Sequence, residues 1–262
     1  MLYLLSPAKR LDYETPVPAA VERRATLPRF SDRAAELIAL LRERSPAQVA
    51  SLMKLSDVLA LLNVGRYAAW QRAADATNSK PALLAFAGDV YAGLQARSLK
   101  TADLDWAQRH LVILSGLYGV LRPLDRLQPY RLEMGTALPN AQGKDLYAFW
   151  GDRIAVALNE QLAASRGAVV VNLASVEYAR AALRPALQAR VVECVFEDWK
   201  DGRYRVISFF AKRARGLMAR WAIEHRVDTP AHLAQFEAEG YAFDARASAP
   251  QRLHFRRRVA AA

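Results

Sequence analysis

The chain has 262 residues, of which 53% are hydrophobic and 24% charged, a composition that excludes a disordered protein. No run approaches the roughly 18 consecutive apolar residues that cross a bilayer, and the first residues lack a signal peptide's features, so we expect a cytoplasmic protein without a membrane partner. The single cysteine, Cys194, excludes an intramolecular disulfide and a cysteine-cluster metal site.

The charge is strongly basic and unevenly distributed. With 37 Lys and Arg against 26 Asp and Glu, the formal net charge is +11, and residues 203–262 alone carry +7. Such a field attracts polyanions, which favours nucleic acid or another phosphate-bearing partner. Because 30 of the 37 cations are Arg, genomic base composition is the alternative explanation.

Strand-like and helix-like segments alternate along the chain. Pro16, Pro18 and Pro28 predict an extended segment over residues 12–28. Helical spacing or caps indicate helices after Ser31, at Ser45-Pro46 and over residues 145–165. Short apolar runs predict strands at Leu2 to Leu5, Leu111 to Leu114, Ala168 to Leu173, Arg190 to Phe196 and Tyr204 to Phe210, the last two joined by a turn at Asp201-Gly202. This pattern predicts a single α/β domain over residues 1–262, with a central mixed sheet flanked by helices.

Polar side chains follow three of these strands. The first is followed by Ser6, Lys9 and Asp12, the second by Ser115 with Tyr118, Tyr130, Arg131 and Glu133, and the third by Asn172, Ser175, Glu177 and Tyr178. If the strands are neighbours, these groups and Lys212 converge on a pocket at the strands' carboxyl ends. Ser175 and Asn172 can equally be helix caps. The four His lack metal-ligand spacing and no nucleotide-binding loop is present, so we expect no metal and no cofactor, and we assign no catalytic residue.

Residues 46–76 suggest two helices joined by a tight hairpin at residues 62–65. The segment is similar to a helix-hairpin-helix motif, with Asn63 in place of its first glycine and Ala69 four residues after Gly65. Amides at such a hairpin contact phosphates, and the candidate residues are Lys54, Asn63, Val64, Gly65 and Arg66. A plain corner between two helices, with Gly65 as C-cap, is the alternative.

A second basic element is the helix predicted over residues 211–223. Lys212, Arg213, Arg215 and Arg220 fall within one arc of about 160°, with Gly216 and Ala219 between them, which predicts a cationic furrow for an anion. A solvated basic face is the alternative. The basic tail, residues 246–262, contains Arg252 to Arg258, and its pattern predicts either a charged edge strand or a loose arm.

Several segments closely resemble the bacterial YaaA peroxide-stress-resistance family: MLYLLSPAKRLDY, LAFAGDVYAGLQA, LSGLYGVLRPLDRLQPYRLEMGT, GKDLYAFWGD, VVNLASVEY and VISFFAKRARGLMARW. The resemblance covers roughly residues 1–245. It implies a cytoplasmic α/β protein with a positively charged cleft and a helix-hairpin-helix element that binds DNA and protects against hydrogen peroxide and iron-driven damage.

Two functions follow as hypotheses. The first is binding of double-stranded or structured DNA through backbone phosphates, largely without sequence specificity, in peroxide defence. The second is an enzyme that acts on a nucleotide, nucleoside or damaged base, with Ser6, Lys9, Asn172 and Lys212 around the pocket. Direct iron binding has no ligand cluster to support it.

Overall fold

A mixed sheet of nine strands forms the centre of the protein in a computed structural model that describes residues 1–165 and 167–258. Its order is β11-β12-β13-β9-β8-β1-β5-β6, with β10 also paired to β9, while β2 pairs β4 and β3 pairs β7 outside it. The strands are β1 Leu2–Leu5, β2 Arg10–Leu11, β3 Lys80–Pro81, β4 Phe86–Ala87, β5 Leu111–Ser115, β6 Gly119–Leu121, β7 Arg126–Leu127, β8 Val169–Asn172, β9 Arg190–Lys200, β10 Arg203–Arg205, β11 Glu237–Ala238, β12 Tyr241–Phe243 and β13 Arg252–Arg257.

Helices cover both faces of this sheet and connect its parallel strands. They are α1 Ala19–Glu22, α2 Ser31–Arg42, α3 Pro46–Met53, α4 Asp57–Ala69, α5 Ala82–Ala85, α6 Asp89–Leu94, α7 Thr101–His110, α8 Leu146–Trp150, α9 Arg153–Leu162, α10 Val176–Ala182 and α11 Ser208–Glu224, with 3₁₀ turns at Ala96–Ser98 and Pro230–Gln235. The α/β class predicted from the sequence is confirmed.

The middle of the sheet is parallel and fully buried. β1 lies between β5 and β8, and β8 continues the parallel pairing to β9. Every residue of β1, β5 and β8 is buried, as continuous apolar runs require when helices cover both faces. The three predicted strands are therefore neighbours, and their carboxyl ends open at the same edge of the sheet.

Three predicted segments are wrong in their boundaries or conformation. The segment over residues 12–28, predicted to be extended, contains the short helix α1 at Ala19–Glu22. The single helix over residues 145–165 is broken into α8 and α9, because Gly151 ends α8 with a positive φ of 50° and a ψ of −130°, a conformation that is open mainly to glycine. The predicted strand from Tyr204 to Phe210 ends at Arg205, and Phe209 and Phe210 begin α11. The run Val206 to Phe210 is too short for the spacing of its apolar residues to distinguish a strand from a helix.

The basic C-terminal segment is neither an edge strand nor a loose arm over the described residues. β13 lies inside the sheet, parallel to β9 and antiparallel to β12. Phe255 anchors it in the core, while Arg256 pairs with Glu197 and Asp244, and Arg257 pairs with Asp198. Residues 259–262 of the predicted tail lie outside the described residues.

In the parts of the chain that the structure describes, none of the helices alone combines the length and apolarity of a membrane span. The consecutive helices α3 and α4 reach that length and apolarity only together, and they are bent by 110°.

Candidate phosphate-binding site

The hairpin predicted at residues 62–65 is wrong. α4 runs without interruption from Asp57 to Ala69, so Asn63, Val64, Gly65 and Arg66 lie within a helix. Asn63 is fully buried, and its Nδ2 donates to the carbonyl oxygen of Leu59 at 2.7 Å. Because backbone amides in a helix interior bond to carbonyls one turn back, these four residues present none to a phosphate. The alternative corner with Gly65 as C-cap is wrong for the same reason.

The bend between the two helices lies earlier, at residues 54–56. Lys54 adopts a left-handed conformation with φ of 53° and ends α3, and Ser56 is the N-cap of α4. Ala60, four residues after Ser56, is fully buried where α4 packs on α3. The left-handed residue that such a turn needs thus occurs here, at Lys54, whereas no residue around Gly65 has a positive φ. The pair Ser56-Asp57, a typical helix start, is the sequence signal that points to this turn.

A cavity of about 350 Å³ opens at the carboxyl ends of the parallel strands, and we call it the strand-end cavity. It is lined by Ser6 to Arg10, Ala87 to Tyr91, Tyr130 to Glu133, Ser175, Glu177, Tyr178, Lys212 and Arg215. The lining residues come from the segment after β1, the start of α6, the segment after β7, the start of α10 and the first two turns of α11. Ser6, Lys9, Ser175 and Lys212, predicted to share a pocket, are brought together here.

Hydrogen bonds tie the two strand ends together. Ser6 Oγ accepts from the backbone N–H of Ser175 at 2.9 Å, and the two hydroxyl oxygens lie 3.3 Å apart. Tyr91, which the sequence reasoning missed, donates its hydroxyl to the carbonyl oxygen of Ser6 at 3.0 Å. The residues that line the cavity include no His and no Cys, so neither serine has an imidazole or thiol base beside it.

The cations of the cavity are of two kinds. Lys9 and Arg131 both pair with Glu133, at 3.1 and 2.9 Å. Over residues 1–165 and 167–258, no carboxylate oxygen lies within ion-pair distance of the other three cations, Arg10, Lys212 and Arg215. Burial lowers the pKa of the Arg215 guanidinium, against an opposing effect of the Glu193 carboxylate, yet a guanidinium stays protonated in proteins.

Arg215 is also short of hydrogen-bond acceptors. Its Nε is buried and has no partner within the described residues. An unpaired buried donor is costly, so an acceptor that enters the cavity would relieve this cost. The arrangement suits an anion that meets Arg215 and the exposed Lys212 together.

The furrow predicted on α11 is wrong, because α6 fills it. A Cβ built on Gly216 would lie 1.8 Å from the carbonyl oxygen of Val90 in α6. Arg213 pairs with Glu239, while Arg220 pairs with Glu224 at 2.8 Å and donates to backbone carbonyls at the end of α6. The small residues therefore serve helix packing, and of the predicted basic arc only Lys212 and Arg215 line the cavity.

Three residues predicted for the pocket lie outside it. Asp12 accepts from the backbone N–H of Thr15 at 2.9 Å and faces Lys80 and Arg97. Ser115 is buried behind the wall, where its hydroxyl lies 2.7 Å from that of Tyr130. Asn172 turns its Oδ1 to the backbone N–H of Ala174 at 3.0 Å and lines a separate, shallow depression.

Thiol and metal chemistry have no support within the described residues. Cys194 is buried in β9, and burial raises the pKa of its thiol, so its thiolate is scarce. Those residues contain no group of three or more His, Cys, Asp or Glu side chains placed to hold a metal ion.

Comparison with known proteins identifies the family. The model of a family described as "Peroxide stress protein YaaA" matches residues 1–247. The chain belongs to this family. Proteins named UPF0246 protein from Variovorax paradoxus and Paracidovorax citrulli are 61% and 62% identical to it, over 98% and 99% of this chain and 99% and 100% of the relative. A UPF0246 protein of Burkholderia mallei is 60% identical over the full length of both chains. Membership of the YaaA family supports a role in peroxide stress.

Proposed function

We propose that this protein acts in peroxide stress by binding DNA through its phosphate backbone, largely without sequence specificity. The observation that carries the proposal is the pair Lys212 and Arg215, whose charges meet no carboxylate among the described residues and open on the strand-end cavity. In a chain with a net charge of +11, these two cations stand where a ligand can reach them. A DNA partner would place the protein in the cytoplasm, and coverage of DNA fits protection against iron-driven damage.

The turn at residues 54–56 gives second support. Ser56 makes no side-chain cap, so the first-turn amides of α4 are free to bond an anion, and Lys54 is exposed beside them. Asp57 lies in the same turn and repels anions, so we expect this turn to contribute less than the cavity cations.

Binding is favoured over catalysis by the chemistry of the cavity. Ser6 and Ser175 bond to each other, and Glu133 is held by Lys9 and Arg131. Within the described residues, neither serine hydroxyl bonds to a lysine or a carboxylate that could activate it as a nucleophile. The enzyme hypothesis therefore retains a pocket but no serine that is hydrogen-bonded to a base.

Salt dependence of duplex binding tests the proposal. If about six phosphates are neutralised, affinity falls by about 10³ or more between roughly 50 and 200 mM salt. The variant Lys212→Glu with Arg215→Gln should weaken binding by at least about tenfold and reduce the salt slope by about two.

A matched control carries the same change in charge at the opposite edge of the sheet. Arg190 begins β9 and Arg109 precedes β5, and both are exposed. Arg190→Glu with Arg109→Gln should leave the salt slope nearly unchanged. Equal weakening by both pairs would show that only net charge matters, and salt-insensitive binding would refute the proposal.

A further inference from the structure

Buried aromatic side chains line the strand-end cavity. Tyr91, Tyr130 and Tyr178 are 7%, 5% and 7% exposed. Two of them are fixed by their hydroxyls, Tyr91 on the carbonyl of Ser6 and Tyr130 on Ser115. Rings held in place lose little entropy when a flat ligand packs against them.

A few polar groups accompany these rings. The hydroxyls of Ser6 and Ser175 lie at one wall. Glu177 uses Oε1 to accept from the backbone N–H of Gly135 at 2.8 Å, and its other oxygen has no partner within the described residues. A carboxylate oxygen accepts well from an exocyclic amine such as that of cytosine.

Cations suited to a phosphate and aromatic rings suited to a base thus line the same cavity. We infer that the strand-end cavity accepts a single nucleotide, with its phosphate on Lys212 and Arg215 and its base among Tyr91, Tyr130 and Tyr178. This inference rests on the proposed function and names the part of DNA that the cavity holds. The volume of about 350 Å³ is that of a small-ligand site, far more than a phosphate alone requires.

The nucleotide has two conceivable sources with the same chemistry. A base stacked in a duplex cannot enter a cavity, so a nucleotide from DNA must be unpaired or extruded from the stack. A free nucleoside monophosphate presents the same phosphate and base. The experiment therefore has two arms.

In the first arm, fluorescence anisotropy compares a duplex of roughly 20 base pairs with the same duplex that carries one bulged nucleotide. We expect the bulged duplex to bind at least about tenfold more tightly, since stacking on aromatic side chains favours an unpaired base. In the second arm, the four deoxynucleoside monophosphates are titrated by calorimetry.

The test variant is Ala8→Phe, which fills the cavity without changing its charge, and Ala87→Leu repeats the test with a smaller side chain. Ala163→Phe, at an exposed position outside the cavity, is the matched control. Thermal unfolding establishes that each variant folds.

The inference is supported if Ala8→Phe or Ala87→Leu lowers the affinity for the bulged duplex to that of the plain duplex measured with the same variant, with the preference of Ala163→Phe unchanged. Binding of a free monophosphate that the same variants abolish supports the cavity with a free nucleotide as its source. The inference is overturned if the wild-type protein shows neither the preference nor monophosphate binding, or if the cavity variants leave both intact. Plain-duplex binding by itself reports on the proposed function: its absence would refute that function, whatever the cavity holds.

Discussion

The contact between α6 and α11 gives a sharp prediction for Gly216. A Cβ at this position would lie 1.8 Å from the carbonyl oxygen of Val90 and 2.9 Å from the backbone nitrogen of Leu94. Both are backbone atoms, so no rotamer change relieves the clash and the helices must separate. Overpacking costs about 1–3 kcal/mol, and a contact this short belongs at or above the upper end. The higher helix propensity of alanine offsets about 1 kcal/mol of this cost, so Gly216→Ala should lower the free energy of unfolding by at least about 2 kcal/mol.

Gly65→Ala is the matched control, because Gly65 also lies within a helix but meets no atom within 4 Å. It should raise the free energy of unfolding by about 0.5–1 kcal/mol. Urea denaturation, with midpoints compared at equal m-values, measures both changes. A neutral Gly216→Ala would show that α6 does not fill the face of α11 and that the furrow is open. A destabilising Gly65→Ala would show that Gly65 occupies a left-handed turn, as the hairpin interpretation required.

Three further outcomes are expected. Burial would raise the pKa of Asp12, but hydrogen bonds from Thr15 and the charges of Lys80 and Arg97 hold that pKa well below its usual range. The Asp12 carboxylate therefore contributes its full stabilisation of the fold above about pH 4, and this contribution is lost as the pH falls further. Asp12→Asn should cost about 1.5 kcal/mol at pH 7 in urea unfolding and flatten the acid limb of stability against pH; an unchanged acid limb would contradict this. Cys194 should react with an aromatic disulfide reagent only after unfolding, because burial raises the pKa of its thiol, whereas rapid reaction of the native protein would contradict its burial. The Nε1–H of Trp70 donates to the Tyr118 hydroxyl at 2.9 Å, and Tyr118→Phe removes this acceptor. The variant should lower the free energy of unfolding by about 1–3 kcal/mol, because a buried donor is left unpaired. A change within about 0.5 kcal/mol would show that this hydrogen bond is dispensable.

Local sequence determined the buried centre of the sheet. β1, β5 and β8 are continuous apolar runs, and such runs are stable only where helices cover both faces. The start of α3 is equally local, since Ser45 and Gln48 form a capping box around Pro46. Parallel neighbours share one carboxyl edge, and for that reason the sequence also predicted that Ser6 and Ser175 meet.

The sequence could not determine which element packs against each face of a helix. The period of α11 placed Gly216 among cations but carried no information on what would cover it, and α6, more than a hundred residues earlier, does so. The period of α4 likewise continued through Asn63, whose side chain bonds within the helix and does not turn the chain. The basic segment of β13 is an inner strand, because Phe255 is buried in the core and the strand pairs with both β9 and β12. Helix propensity and the spacing of apolar residues act within a few residues, whereas packing across the whole chain determines which element covers a given helix face. Only the tertiary structure therefore determined that Lys212 and Arg215 face the cavity.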